Sequence, residues 1–168
     1  MKKISFIPIF LLVALMACNS SGDKSASGSD TTAAAKDTTM HHMDSTAMIA
    51  PLPDVPAGAK VFFKNLKDGA TVKSPVKIEF GVEGIALDTA GAIKPASGHH
   101  HLLIDAGDSI AAGTVVPKDS THLHFGKAQS SAEVKLTPGE HTLTLQYADG
   151  IHRSYGAKLA ATIKVKVQ

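Results

Sequence analysis

From about residue 60 onward, apolar and polar positions alternate in short runs. Val76, Ile78, Phe80 and Val82 are separated by Lys77, Glu79 and Gly81, and strict period-two alternation predicts a half-buried strand. Pro75 can open that strand without removing an interior ladder bond. Upstream, Val61, Phe62 and Phe63 lead to a turn at Lys67, Asp68 and Gly69; downstream, an irregular stretch runs from Gly84 through Asp88, Gly91 and Pro95 to Gly98. So long a connection in a small domain points to a loop that is either functional or mobile.

Further short runs follow: His99 to Asp105, then His122 to Phe125, then Ala132, Val134 and Leu136 alternating with Glu133, Lys135 and Thr137. Pro138 and Gly139 turn the chain into His141, Leu143, Leu145 and Tyr147, and Asp149 and Gly150 turn it again. The last run buries Leu159, Ala161, Ile163, Val165 and Val167 and exposes Lys164 and Lys166. About seven short strands with turn signals between them, and no helical period, predict an all-β fold: an antiparallel immunoglobulin-like β-sandwich. The corner at Leu136 to His141 resembles one that usually carries a tyrosine in immunoglobulin-type folds, with His141 in the tyrosine's place.

The N-terminal pattern is different. Met1, Lys2 and Lys3 precede an apolar run from Ile4 to Ala17, interrupted by Pro8. A basic start and a short apolar core predict an export signal over residues 1–17, since spanning a bilayer takes roughly 20 apolar residues. Ala17 before Cys18 resembles the lipobox of bacterial lipoproteins, which implies cleavage before Cys18 and lipidation of its thiol. Cys18 is the one cysteine in the chain, in keeping with consumption by lipid and with no internal disulfide. The expected location is the bacterial cell envelope, on the periplasmic or cell-surface side, with the membrane engaged through the lipid anchor.

Residues 18–58 are rich in Ser, Thr, Ala, Gly and Asp and show no sustained apolar period. Such a composition predicts a disordered linker with a reach of roughly 35 Å, leaving residues 59–168 as the folded domain. Within the linker, Met40, His41, His42, Met43 and Met48 offer thioether and imidazole donors of the kind that suit copper, although such clusters also arise by drift.

Charge narrows the partners. Lys and Arg number 17 against 15 Asp and Glu, and Lys2 and Lys3 belong to the expected signal. A mature chain without net positive charge or a basic run has no electrostatic basis for holding nucleic acid. With no Trp, a base-stacking platform is equally unsupported.

Candidate chemistry rests on histidine. Side chains on a strand alternate between faces, so His99, His101, Leu103 and Asp105 share one face and His100, Leu102 and Ile104 the other. Both faces carry apolar residues, which predicts a central strand with the imidazoles at its open end. His122 and His124 repeat the spacing. If the two strands are neighbours, up to four imidazoles meet, a donor set for copper or zinc. His152, after the Asp149–Gly150 turn, is either a fifth candidate or a surface residue, with Asp149 a better placed supporting carboxylate than Asp105. His100 is expected to pack on the core or bond the long loop, and His141 to hydrogen-bond backbone.

The octapeptide Gly98 to Asp105, with His124, Phe125, Gly126 and Gln129, then Pro138, Gly139, His141, Thr142, Leu143, and finally Ala148, Asp149 and His152, resembles the bacterial family called domain of unknown function 4399. The likeness covers about residues 60–168. It implies an exported domain with recurrent histidines and carries no catalytic assignment. The segments Lys127 to Ser131 and Arg153 to Gly156 depart from the family pattern, which places an acid in the first and a further histidine in the second.

Two functions compete. One is an envelope lipoprotein whose sandwich binds copper or zinc through His99, His101, His122, His124 and His152. The other is a non-catalytic immunoglobulin-like module that contacts an envelope protein, with structural histidines. An enzyme is not expected: the cysteine is committed to lipid and no serine sits in a nucleophile-elbow context, so only metal-assisted chemistry would remain.

Overall fold

A computed structural model describes residues 50–168. The expected signal segment, Cys18, the linker up to residue 49 and the Met40 to Met48 group lie outside the described residues.

The alternating runs become strands: β1 (Lys60–Phe63), β2 (Ala70–Val72), β3 (Val76–Glu83), β4 (Ala86–Leu87), β5 (Ser97–Ile104), β6 (His122–His124), β7 (Ser131–Val134), β8 (Gly139–Ala148) and β9 (Ala160–Val167). A short 3-10 turn, Gly156–Leu159, precedes β9. Two sheets form, one of three strands in the order β1-β3-β7 and one of six. In the larger sheet β2, β9, β8 and β5 lie side by side, and both β4 and β6 pair along the free edge of β5.

The all-β sandwich stands, with two corrections. Nine strands occur among the described residues where about seven were expected, because β2 and β4 have three and two residues, too few for periodicity to register. The architecture is also not purely antiparallel: β2 pairs parallel with β9, and β4 parallel with β5.

Between the sheets, Val76, Ile78 and Phe80 of β3 meet Leu102 of β5 and Leu143, Leu145 and Tyr147 of β8, all buried. Full burial of each such side chain stabilises by roughly 1.5–3 kcal/mol. Lys77 and Glu79, on the opposite face of β3, pair with each other at the surface, where such a bridge contributes little.

The outer face of the larger sheet is not left to solvent. Thr144 and Gln146 point away from the sandwich interior yet are fully buried, because two loops roof them. The Ile110 amide donates to Gln146 Oε1, the Gln146 amide donates to the Gly156 carbonyl, and Thr144 Oγ1 donates to the Gly107 carbonyl. β5 is therefore covered on both faces, and seven of its eight residues are buried. The imidazoles expected at an open strand end are enclosed instead.

The folded part also begins earlier than residue 59. Leu52 and Val55 pack against the core, and the Arg153 guanidinium donates to the Ala50 and Pro51 carbonyls at 2.6 and 3.3 Å. Residues 50–58 form a strap along the domain, and the linker reading does not hold for them. Pro51, Pro53 and Pro56 suit an extended strap that makes no ladder bonds.

Candidate metal centre

His99 and His101 stand two residues apart on the roofed face of β5. The antiparallel partner strand β6 aligns His124 with His101, Leu123 with Leu102 and His122 with Leu103. Opposed residues of an antiparallel pair share a face, so His124 joins the β5 pair while His122 falls one step beyond it, across from Leu103. Extending the register by two residues puts Gly126 across from His99, and on the β8 side His99 faces Ala148. These small neighbours leave space that imidazoles occupy: a Cβ on Gly126 would lie 2.3 Å from His124 Nε2.

The fourth ring comes from a turn. Asp149 Oδ1 accepts from the amides of Ile151 and Arg153, and the His152 amide donates to the Asp149 carbonyl. This tight loop holds His152 at φ +72°, a left-handed conformation uncommon for a residue with a side chain. Non-glycine residues held there concentrate at functional sites. The ring of His152 is thereby brought over β6, with Nε2 3.2 Å from His124 Nε2.

Together the rings of His99, His101, His124 and His152 make a near-regular tetrahedron. Five of the six centroid separations run from 4.7 to 5.1 Å and the widest, His101 to His152, is 5.9 Å. Four imidazoles bound through nitrogen to one ion at about 2.0–2.1 Å would have centroids about 5.2 Å apart. His99 Nε2 and His101 Nε2 are 3.1 Å apart. Two nitrogens on one ion lie about 2.9 Å apart at a right angle and about 3.3 Å apart at the tetrahedral angle, so both close pairs fall between these limits. The ligand atoms of His99, His101 and His124 all lie within 4.8 Å of one another, and His152 joins the group through His124, at the shortest of the six ring separations.

Protonation favours the same chemistry. Burial, reinforced by the His124 and His152 rings, pushes the His99 pKa down to about 4. Burial and then His99, His124 and His152 push His101 to about 2. His124 is lowered by burial, then by His152 and Lys118. At neutral pH these three imidazoles hold lone pairs rather than charge, the state a metal ligand requires. Among the described residues His99 Nδ1 and His101 Nδ1 have no hydrogen-bond partner. Metal-bound histidines usually have such a supporting acceptor; here packing and the contact between the two Nε2 atoms hold the rings.

The other histidines among the described residues have other work. His122 Nδ1 lies 2.8 Å from Asp119 Oδ1, which also accepts from the His122 amide and the Thr121 hydroxyl; it belongs to a surface turn and not to the tetrahedron. His100 points into the sandwich between Phe80 and Tyr147, with ring centroids 5.3 and 5.0 Å away. Neither of its nitrogens has a partner among the described residues, and burial lowers its pKa to about 4. His141 closes the corner, with Nε2 2.9 Å from the Thr137 carbonyl and Nδ1 2.7 Å from Asp105 Oδ2. Asp149 does not support the His152 ring as expected; its carboxylate instead receives Arg153 Nε at 2.7 Å.

The profile of the family described as Domain of unknown function (DUF4399) matches residues 78–168. The chain belongs to this family. The matched segment carries all four rings of the tetrahedron and the Asp149 turn that sets His152. No curated protein and no solved structure matches the chain.

Sequence reasoning missed two features of the site. Gly126 reads as punctuation after His124 and Phe125, and its role is visible only once β6 is set beside β5. The other is a cleft of about 420 Å³ over the cluster. His101, His124 and His152 line its floor, and Ala90, Val115, Val116, Pro117 and Lys118 its walls. Those wall residues come from two separate loops, and nothing in their local pattern marks them.

Proposed function

We propose that this family member is an envelope lipoprotein whose sandwich binds one copper or zinc ion through His99, His101, His124 and His152, without catalysing a reaction. The observation that carries the reading is the tetrahedron: four rings with centroids 4.7 to 5.9 Å apart, two of them fully or almost fully buried. An all-imidazole donor set suits copper and zinc and is a poor match for calcium or magnesium. The anchored location rests on the lysines, apolar run and Cys18 of the N-terminus.

Calorimetric titration of the metal-free full-length chain with copper and with zinc tests this. The expected result is one site tighter than about 10 μM, lost in His99→Ala with His101→Ala. The same site should persist in His122→Ala and in His41→Ala with His42→Ala. Absence of such a site, or its survival in the His99/His101 double variant, overturns the proposal.

A second reading has its own support. His100, buried among aromatic rings with both nitrogens unpartnered among the described residues, shows that an imidazole can serve this sandwich as a packing group. An interaction module built on such structural histidines would lose melting temperature when the cluster is replaced, and added metal would leave the unmodified protein's melting unchanged.

A further inference from the structure

The tetrahedron has a closed side and an open one. His99 is wholly buried and His101 is 1% exposed, whereas His124 and His152 are only half-buried and border the cleft described above. An ion held there would be walled in on the His99 side and reachable through the cleft.

Charge makes that opening matter. Imidazole ligands supply no negative charge, and the ligand group of His99, His101 and His124 includes no carboxylate. The nearby buried acid, Asp149, is already neutralised by Arg153. A divalent ion would therefore keep its full charge in a largely dry site, which is costly unless an anion accompanies it. The cleft offers a route and a lure for one: Lys118 is exposed at its wall, lining the same space as His124 and His152.

The rest of the wall is apolar. Val115 is 57% exposed and is the one large hydrophobic residue exposed among the described residues. It stands beside Val116 and Pro117 along the cleft. A volume of about 420 Å³ is at the small end of organic-ligand sites.

We propose that the metal-loaded centre takes a fifth, exchangeable ligand on the cleft side of its four imidazoles, and that this ligand is a small organic monoanion: a carboxylate with a short apolar body, its oxygen on the metal and facing the Lys118 wall, its hydrocarbon against Val115 and Pro117. This rests on the metal-binding reading. Copper content measured on the same samples separates a failure of that reading from a failure of this one.

The test uses the full-length chain loaded with Cu(II), with azide as a reporter because it gives a charge-transfer band on binding copper. Azide should bind saturably. Lys118→Gln, a change at an exposed position, should raise its dissociation constant about fivefold, the size expected for one screened charge lining the same cleft. Imidazole, a neutral donor, should bind equally to both proteins. Butyrate should displace azide at lower concentration than acetate, and Val115→Ser should erase that difference. A copper-loaded protein without an azide band has no exchangeable position, and the proposal is overturned. Equal azide affinity in Lys118→Gln, or equal displacement by acetate and butyrate, overturns the anion pocket as described. A chain that takes up no copper overturns this inference together with the reading beneath it.

Discussion

Gly126 shows how much one missing side chain can decide. A Cβ there would lie 2.3 Å from His124 Nε2 and 2.9 Å from Ala90 Cβ, so alanine would drive the His124 ring out of the tetrahedron. Copper or zinc affinity of Gly126→Ala should fall at least about tenfold, or about 1.4 kcal/mol, while the melting temperature changes little; parallel titration and thermal melts check this. At the corner, His141 and Asp105 illustrate a different use of imidazole. Hydrogen bonds to Asp105 and Thr137 raise the His141 pKa above 6.5. Burial alone would raise the Asp105 carboxyl, but the Thr142 amide and His141 hold it below its usual value. The stabilising contribution of His141 is thus fully present below its unfolded pKa and is lost as pH rises through its folded one. In Asp105→Asn the His141 titration followed by NMR should move down, and the stability difference from the unmodified protein should shrink as pH rises through the native His141 pKa.

At the scale of elements, β5 is the member on which the domain depends, because its two faces serve different ends. Its inner face packs Leu102 and His100 into the sandwich. Both His100 nitrogens are buried without partners among the described residues, and an unsatisfied buried polar group costs about 1–3 kcal/mol. His100→Leu, close in volume and apolar, should therefore stabilise by roughly 1 kcal/mol in urea unfolding and leave metal affinity unchanged. Loss of metal binding in that variant would contradict the division of faces. The strap makes a comparable statement about the N-terminal side. Leu52 and Val55 pack on the core, and Arg153 holds the Ala50 and Pro51 carbonyls. A chain beginning at residue 59 should be less stable than one beginning at residue 50 by about 2–4 kcal/mol. It should also hold His152 less firmly, since Arg153 sits in the same turn.

For the whole molecule, the buried imidazoles impose an acid limit. Burial, above all, places the folded-state pKa of His99 and His100 at about 4 and of His101 at about 2, against 6.5 when unfolded. Below pH 6.5 the unfolded chain binds protons that the native chain refuses, so stability falls as pH drops. His99 and His100 stop contributing near pH 4, and His101 continues to about 2. The cost is on the order of 3 kcal/mol for each of His99 and His100 across that window, comparable together with the whole stability of an ordinary domain. Thermal melts of the metal-free protein should show a steep drop between pH 6.5 and 5, flattened in His99→Gln with His100→Leu and His101→Gln. Bound metal should add protection near neutral pH by mass action, and that protection should weaken as protons compete for the same nitrogens.

What the sequence determined by itself is whatever depends on period. Alternation in β3, β7, β8 and β9 is enough to place those strands and to choose their buried faces, since a one-residue slip would turn every apolar side chain to solvent. The same rule separates His100 from His99 and His101, and the Leu136 to His141 corner is recognisable from its turn residues. Strands as short as β2 and β4 carry too few residues for a period, and the direction in which they pair is a matter of where the sheet has a free edge. Only the tertiary structure decided which histidines meet. Register on β5 selects His124 over His122, a distinction invisible in two residues of identical spacing. The Asp149 turn, tightened by Arg153, brings in His152 from 28 positions beyond His124. The cleft above them exists because loops far apart in sequence fold over one strand, and no local pattern encodes where such loops will meet.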